Sequence, residues 1–385
     1  MRSRLRLLLP LVLLVALSLD FPTSGTAQPP TPSPAPPPAA DEPQKTVLFA
    51  AGQEGYHTFR IPSLLVTPQG TLLAFCEGRK KGSGDSGDID LVYKRSTDGG
   101  KTWGPLQVLW DEGANTCGNP CPVVERQSGT IWLLMTHNLG SDTEAAIVSG
   151  KSRGSRTVWI TSSRDDGRTW SPPREITAAV KKPEWSWYAT GPGVGIQLRS
   201  GRLLIPCDHK AEGGKTRRSH VIYSDDGGKT WHLGGSTGPD CNECQAVELS
   251  DGTILLNIRT YRPQHFRRLI ARSSDGGKTF SEPVEDPALV DPVCQASLLR
   301  LSERGDELLF SNPASTRRQR LTVRLSPDGG KTWPHARLLH EGPAAYSCLA
   351  LLPDGTCACL YEAGTQHPYQ TLTFARFSRR WLTQP

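Results

Sequence analysis

An eight-residue pattern, Ser-x-Asp-x-Gly-x-Thr followed by Trp or Phe, recurs five times in this 385-residue chain. The copies run from Ser96 to Trp103, Ser163 to Trp170, Ser224 to Trp231, Ser273 to Phe280 and Ser326 to Trp333. Repetition on this scale restricts the chain to an architecture assembled from copies of one supersecondary unit. Each copy carries the chemistry of a hairpin turn. The Asp accepts backbone N–H bonds, the Gly supplies a positive φ, and the aromatic ring plugs into the packed interior. The octapeptides are therefore read as structural, with no chemical role.

A second repeat precedes each octapeptide: an alternating strand, a turn containing Gly, and another strand. It occupies 61–75, 121–135, 193–207, 244–258, 294–310 and 348–361, six copies in all. A further strand and an octapeptide follow each of the first five, whereas TLTFARFS and the chain end follow the sixth. One such unit is one blade, so the sequence predicts an all-β, six-bladed β-propeller. The segment Thr46 to Ala51 is expected to complete the last blade as its outer strand. The 38 Gly, 32 Pro and 10 Trp suit many short strands and fit a helical bundle poorly.

Residues 1–27 read as a signal peptide, with Arg2, Arg4 and Arg6 before an apolar run from Leu7 to Leu19. This run is too short to span a bilayer comfortably. It predicts a protein that is secreted, periplasmic or held at the cell surface. Residues 28–44 are a Pro-rich spacer, and 45–385 are the propeller. In an exported chain, ten cysteines point to some disulfides, with Cys117/Cys121 and Cys241/Cys244 as close pairs. No metal site is expected, because Cys241-x-x-Cys244 has no second pair or matching histidines. The net charge of +6 is dispersed, and Arg317, Arg318 and Arg320 lack the interleaved aromatics of a nucleic-acid stripe. A monomer without cofactor or nucleic-acid partner is expected.

In a propeller, the start of each inner strand faces the mouth of the central channel. Counting back nine or ten residues from each turn glycine gives Arg60, Asn119, Gly191, Glu243, Gln295 and Tyr346. A guanidinium, a carboxylate, a phenol and two amides would therefore share one cavity. The returning strands end in Glu77 and Arg79, Asp208 and His209, Arg259, Asn312 and Glu362, and loops add Asp85 and Arg317/Arg318/Arg320. Several arginines without a metal signature predict a ligand carrying carboxylate or phosphate. Asp88 and Asp90 are expected to bond loop backbone or solvent. Asp208-His209 is equally balanced between structure and catalysis, and Trp185 and Trp187 between the pocket and loop packing.

The motifs resemble those of the bacterial and animal exo-α-sialidases. Phe59-Arg60-Ile61-Pro62 matches that family's FRIP motif, and the octapeptides match its Asp boxes. Gly84 to Val92 matches its acid loop, Asn242 to Gln245 its glutamate segment and Ala345 to Leu349 its tyrosine segment. The resemblance covers about residues 45 to 380. It implies that Arg60, Arg259 and Arg318 grip a sialic acid carboxylate, with Arg318 chosen for its place three residues before Leu321. It further implies Tyr346 as nucleophile, Glu243 as its general base and Asp85 as acid/base. Glu362 would orient Arg60, Arg79 would lie near the sugar's 4-hydroxyl, and Asn119 would lie where the N-acetyl group is read. Sialylated glycoproteins, glycolipids and oligosaccharides would be the partners.

The residue types fit that chemistry. The anomeric carbon of sialic acid carries a carboxylate, which repels an anionic nucleophile but not a neutral phenol. Sialidases with a tyrosine nucleophile are a recognised exception to the two-carboxylate scheme of glycosidases. A phenol of pKa about 10 needs an adjacent base to attack at neutral pH. Two other functions remain open from sequence: hydrolysis of a related 2-keto sugar acid, and glycan binding without catalysis.

Overall fold

The computed structural model describes residues 42–261, 266–302 and 304–384. The expected signal peptide, and all but the end of the Pro-rich spacer, lie outside the described residues. The fold is all-β: every helix among the described residues is five residues or shorter. The strands form sheets of eight, five, four and seven members. The first runs from Thr58 to Glu175, the second from Trp185 to Ser236 and the third from Cys241 to Val290. The last holds everything from Ser297 onward, together with the strand Gln44–Ala50.

Each sequence repeat forms an antiparallel pair of strands. In the first, Thr58–Val66 pairs with Leu72–Arg79 around Gly70, whose φ of +82° the tight turn requires. The sheets are fewer than the repeats because hydrogen bonding joins neighbours. A lone parallel pair, Ile89 with Thr116, fuses the first two units. The 17-residue strand His335–Leu351 pairs with Gln319–Ser326 through its first half and with Cys357–Ala363 through its second. The N-terminal strand Gln44–Ala50 pairs antiparallel with Thr371–Phe377, the last strand of the chain, where the sequence placed an outer strand.

All five octapeptides form the same turn, each beginning at the last residue of a strand (Ser96, Ser163, Ser224, Ser273 or Ser326). At Asp226 the carboxylate accepts from Thr230 N at 2.9 Å and from the Thr230 hydroxyl at 2.6 Å, and the Ser224 hydroxyl reaches it at 2.8 Å. The geometry at Asp275 differs by no more than 0.1 Å. The aromatic rings pack inward, Trp103 edge-on to Phe374 and Trp170 edge-on to Phe75. Leucines such as Leu72 and Leu133 are fully buried between strands, where truncation to Ala costs about 2–5 kcal/mol.

The expected disulfides are corrected: all ten cysteines are free and buried. Cys117 and Cys121 lie on one strand, Thr116–Val124, as do Cys241 and Cys244 on Cys241–Glu248. Three or four residues of extended chain separate such Cα atoms by roughly 10 Å or more. A disulfide spans less than about 7 Å. The thiols serve instead as small apolar filler.

Candidate functional site

The residues expected at the channel mouth sit where strand pairing slips. Register breaks fall between Arg60 and Ser63, Gly118 and Cys121, Cys241 and Cys244, and Ala344 and Ser347. Each break sets two residues against one on the partner strand, which bends the chain and re-aims side chains. Asn119, Glu243 and Tyr346 lie inside these bulges, and Arg60 lies immediately before one. Pro62 and Pro120 contribute, since a proline cannot donate to the ladder. Ile61 and Asn119, each preceding a proline, take positive φ of 62° and 53°. Directly opposite two of the bulges stand Arg259 and Glu362, and this brings both into the site.

The resulting cavity, about 210 Å³, is lined by Arg60, Arg79, Asp85, Asn119, Glu243, Arg259, Arg318 and Tyr346. Glu362 lies behind it, fully buried. Its Oε1 accepts from Arg60 Nε at 3.0 Å and from the Ile61 backbone N–H at 3.0 Å, while Oε2 accepts from Tyr346 N at 3.1 Å. One carboxylate thus fixes both Arg60 and the backbone of Tyr346. Burial alone would weaken the charge on Arg60, but Glu362 outweighs it and holds the guanidinium firmly protonated.

The Tyr346 hydroxyl donates to Glu243 Oε1 at 2.5 Å, and Arg259 Nη1 stands 3.0 Å from the same hydroxyl and 2.6 Å from Glu243 Oε2. Arg60 and Arg318 lie 5.1 and 5.6 Å from the centre of the Tyr346 ring. Arg318 is further fixed by the Tyr369 hydroxyl at 2.9 Å and Val293 O at 3.0 Å. Burial, reinforced by Glu243, pushes the Tyr346 phenol well above its ordinary value despite the three guanidiniums, so the resting hydroxyl keeps its proton.

Asp85 is the exposed member of the set, with its side chain 58 % accessible at the rim. Arg79 Nη2 lies 2.8 Å from its Oδ1 and Arg60 Nη1 3.7 Å. The surrounding protein partly strips water from this rim carboxyl and so pushes it up, but the charges of Arg79 and Arg60 overcome that and hold it below the usual range. Glu77 braces the wall, taking Arg79 Nε at 3.0 Å and the Asn119 backbone N–H at 2.9 Å.

Other expectations divide. Gln295 and Gly191 share the register but not the cavity: Gln295 bridges strands by bonding Ser347 N and O at 3.0 Å each. His209 stacks on Trp185 at 3.5 Å in the interior, whereas Trp187 and Asp208 line the cavity. Asn312 ties down Val290 O. Arg320 faces Glu341 at 3.8 Å, away from the cavity. Asp88 and Asp90 meet side chains rather than backbone, both reaching Lys80, and Asp90 also Tyr56 at 2.6 Å. The sequence reading missed Arg156, Lys210, Glu144, Tyr261 and Tyr369, all of which line the cavity. A larger groove of about 1290 Å³ runs past the octapeptide turns at Asp226 and Asp275, at the other end of the strands, and contains none of the bulge residues.

Fold and site together define a repeat-built all-β protein whose pocket encloses a phenol–carboxylate pair in a clamp of guanidiniums. Residues 70–359 match the BNR repeat-like domain. The chain is 38 % identical over 368 residues to a sialidase of Micromonospora viridifaciens, covering 90 % of this chain and 55 % of that protein's length. It is 33 % identical to an exo-alpha-sialidase of Aspergillus fumigatus, covering 85 % of this chain and 86 % of that protein. A solved structure, Hadza microbial sialidase Hz136, superposes with a TM-score of 0.80 at 31 % identity over 88 % of this chain and 69 % of the other. The chain belongs to the exo-α-sialidase family.

Proposed function

We propose that this protein is an exo-α-sialidase that hydrolyses terminal sialic acid from glycoconjugates with retention of configuration, through a covalent tyrosyl intermediate. The contact between the Tyr346 hydroxyl and Glu243, inside the arginine clamp, carries this reading. Arg60, Arg259 and Arg318 take the substrate carboxylate, since guanidiniums grip carboxylates bidentately. The Tyr346 oxygen attacks the anomeric carbon as its proton passes to Glu243, and Asp85 protonates the departing glycosidic oxygen. Water then breaks the tyrosyl bond, with Asp85 now the base and Tyr346 the leaving group. The substrate carboxylate also offsets the positive field of Arg60, which raises Asp85 toward the protonated form that the first step requires. Arg79 lies near the 4-hydroxyl.

The architecture we propose is a propeller of six blades, with the long strand His335–Leu351 shared between the last two and Gln44–Ala50 closing the final one. A leader at 1–27, a spacer at 28–44, export and a monomeric state complete the proposal.

The test is Tyr346→Phe assayed on a 4-methylumbelliferyl α-sialoside. Loss of turnover of about 10³-fold or more, with an unchanged melting curve, is expected from removal of a nucleophile. Wild-type turnover in that variant would refute the mechanism.

A further inference from the structure

Of the three guanidiniums that clamp the cavity, two are anchored by acids and one is not. Glu362 takes Arg60 Nε at 3.0 Å and Nη2 at 3.3 Å, and Glu243 takes Arg259 Nη1 at 2.6 Å. Arg318 has no carboxylate within ion-pair distance among the described residues. Its Nη1 donates to the Tyr369 hydroxyl at 2.9 Å and its Nη2 to the Val293 carbonyl at 3.0 Å, so Tyr369 is its one side-chain hydrogen-bond partner among those residues. The same phenol ring lies against Arg60, whose guanidinium carbon is 4.0 Å from the ring centre. A cation at that distance from an aromatic face is attracted to it. Glu362 thus holds Arg60 by its edge and Tyr369 holds it by its face, which together fix the plane of the guanidinium.

Tyr369 is itself well held, although it sits in the connection between the strands Cys357–Ala363 and Thr371–Phe377. Gln370 Oε1 gathers this loop, accepting the backbone N–H of Thr365 at 2.7 Å and of Gln366 at 2.8 Å. The Gln370 carbonyl accepts from Ala51 N at 2.9 Å, and Tyr369 N donates to His367 Nδ1 at 3.2 Å. The Tyr369 ring packs on Ile61, Cys294, Ala345 and Tyr346. A loop tied in this way has little conformational freedom left to lose when a ligand arrives. The choice of a phenol also matters. A third acid would compete with a substrate carboxylate for Arg318, whereas a phenol accepts a hydrogen bond without bringing a formal charge.

We infer that Tyr369 is a positioning residue, a cross-brace that sets Arg60 and Arg318 to meet one substrate carboxylate while leaving Arg318 without a paired acid until that carboxylate arrives. The inference rests on the sialidase reading above. Arg60 and Arg318 both stand beside the Tyr346 ring, at 5.1 and 5.6 Å from its centre. The spacing of the two guanidiniums therefore sets where the carboxylate lies, and with it the distance from the anomeric carbon to the Tyr346 oxygen.

The experiment measures inhibition of wild type, Tyr369→Phe and Tyr369→Leu by 2-deoxy-2,3-didehydro-N-acetylneuraminic acid and by its methyl ester, with a 4-methylumbelliferyl α-sialoside as substrate. The ester keeps the sugar and removes the anion. In Tyr369→Leu the preference for the free acid over the ester should shrink about tenfold or more, as expected when charge-assisted contacts lose their alignment. KM for the sialoside should rise in step. Tyr369→Phe keeps the ring against Arg60 and loses only the hydroxyl, so its preference should fall between those of wild type and Tyr369→Leu. This milder variant also keeps the inference testable should Tyr369→Leu fail to fold. A ring that merely packs the loop or covers the cavity would weaken acid and ester alike. An unchanged preference in the folded variants therefore overturns the inference while leaving the sialidase reading intact. A wild type that does not cleave the sialoside overturns both.

Discussion

The two ends of the strands are built on opposite rules. At one end, five octapeptide turns repeat the same residues, bonds and distances, with exposed aspartates whose acceptors are filled by their own loop. At the other, equivalent strand positions carry Arg60, Asn119, Glu243 and Tyr346, no two alike, nearly all buried and bonded to residues far away in the chain. Uniformity marks what every unit needs in order to fold. Difference at equivalent positions marks what only one assembled cavity needs.

The comparison can be broken by substitution at either end. Glu243→Gln removes the acceptor for the Tyr346 proton. It should lower kcat about 10²- to 10⁴-fold, the usual contribution of a general base, with the fold kept by circular dichroism. Should kcat hold, the bulge end would be scaffold after all. Glu362→Ala strips the partner from buried Arg60 and frees the Tyr346 backbone. Breaking a buried pair costs about 3–5 kcal/mol, which denaturant melts would register, and KM for a sialoside should rise as well. A drop in stability with KM untouched would make Glu362 a folding residue only.

Smaller effects separate the two ends by pH. Arg79→Gln removes the nearest positive charge from Asp85, so the Asp85 carboxyl should titrate higher. The general acid then keeps its proton to higher pH, and the alkaline limb of the kcat/KM profile should move upward. A downward or absent shift would exclude Asp85 as the acid. At the turn end, slight burial pushes Asp226 up, but Thr230 and Ser224 outweigh it and hold the carboxyl down to about 2. A carboxyl depressed on folding stabilises fully above its unfolded value of about 4 and loses that contribution as pH falls toward 2. Asp226→Asn should therefore lower the unfolding free energy slightly at neutral pH, by less than about 1 kcal/mol after solvent screening, and by less still near pH 2, as denaturant melts would register. Sialoside hydrolysis at room temperature should be unaffected.

Repetition also explains what was legible in the sequence. The strands, turns and inner-strand register follow from local patterns, so Arg60, Glu243 and Tyr346 could be placed by counting from a glycine. Arg259 and Glu362 were visible as strand ends, but their pairing depends on bulges that only the assembled ladder shows. Arg156 was missed because it ends the connection between the strands Ile131–Asn138 and Thr157–Ser163, which carries a short helix and no repeat to set a register. Gln295 was misplaced for the converse reason: it keeps the register, but its amide is occupied by Ser347. The cysteines misled because spacing along a chain ignores the stiffness of an extended strand.

The pairing of Gln44–Ala50 with Thr371–Phe377 makes the two extremities of the described chain a single clasp. Thr371–Phe377 is held on its other side by Cys357–Ala363, whereas Gln44–Ala50, the edge strand of this sheet, is held by Thr371–Phe377, so the N-terminal strand depends on the C-terminal one. Trimming Gln44–Ala50 leaves an open sheet edge on Thr371–Phe377, a template for pairing with another molecule. Conversely, a molecule re-threaded to begin at one of the octapeptide turns, with its old ends joined by a short bridge, would retain every contact of the clasp. The cavity around Tyr346 would then be indifferent to where the polypeptide starts.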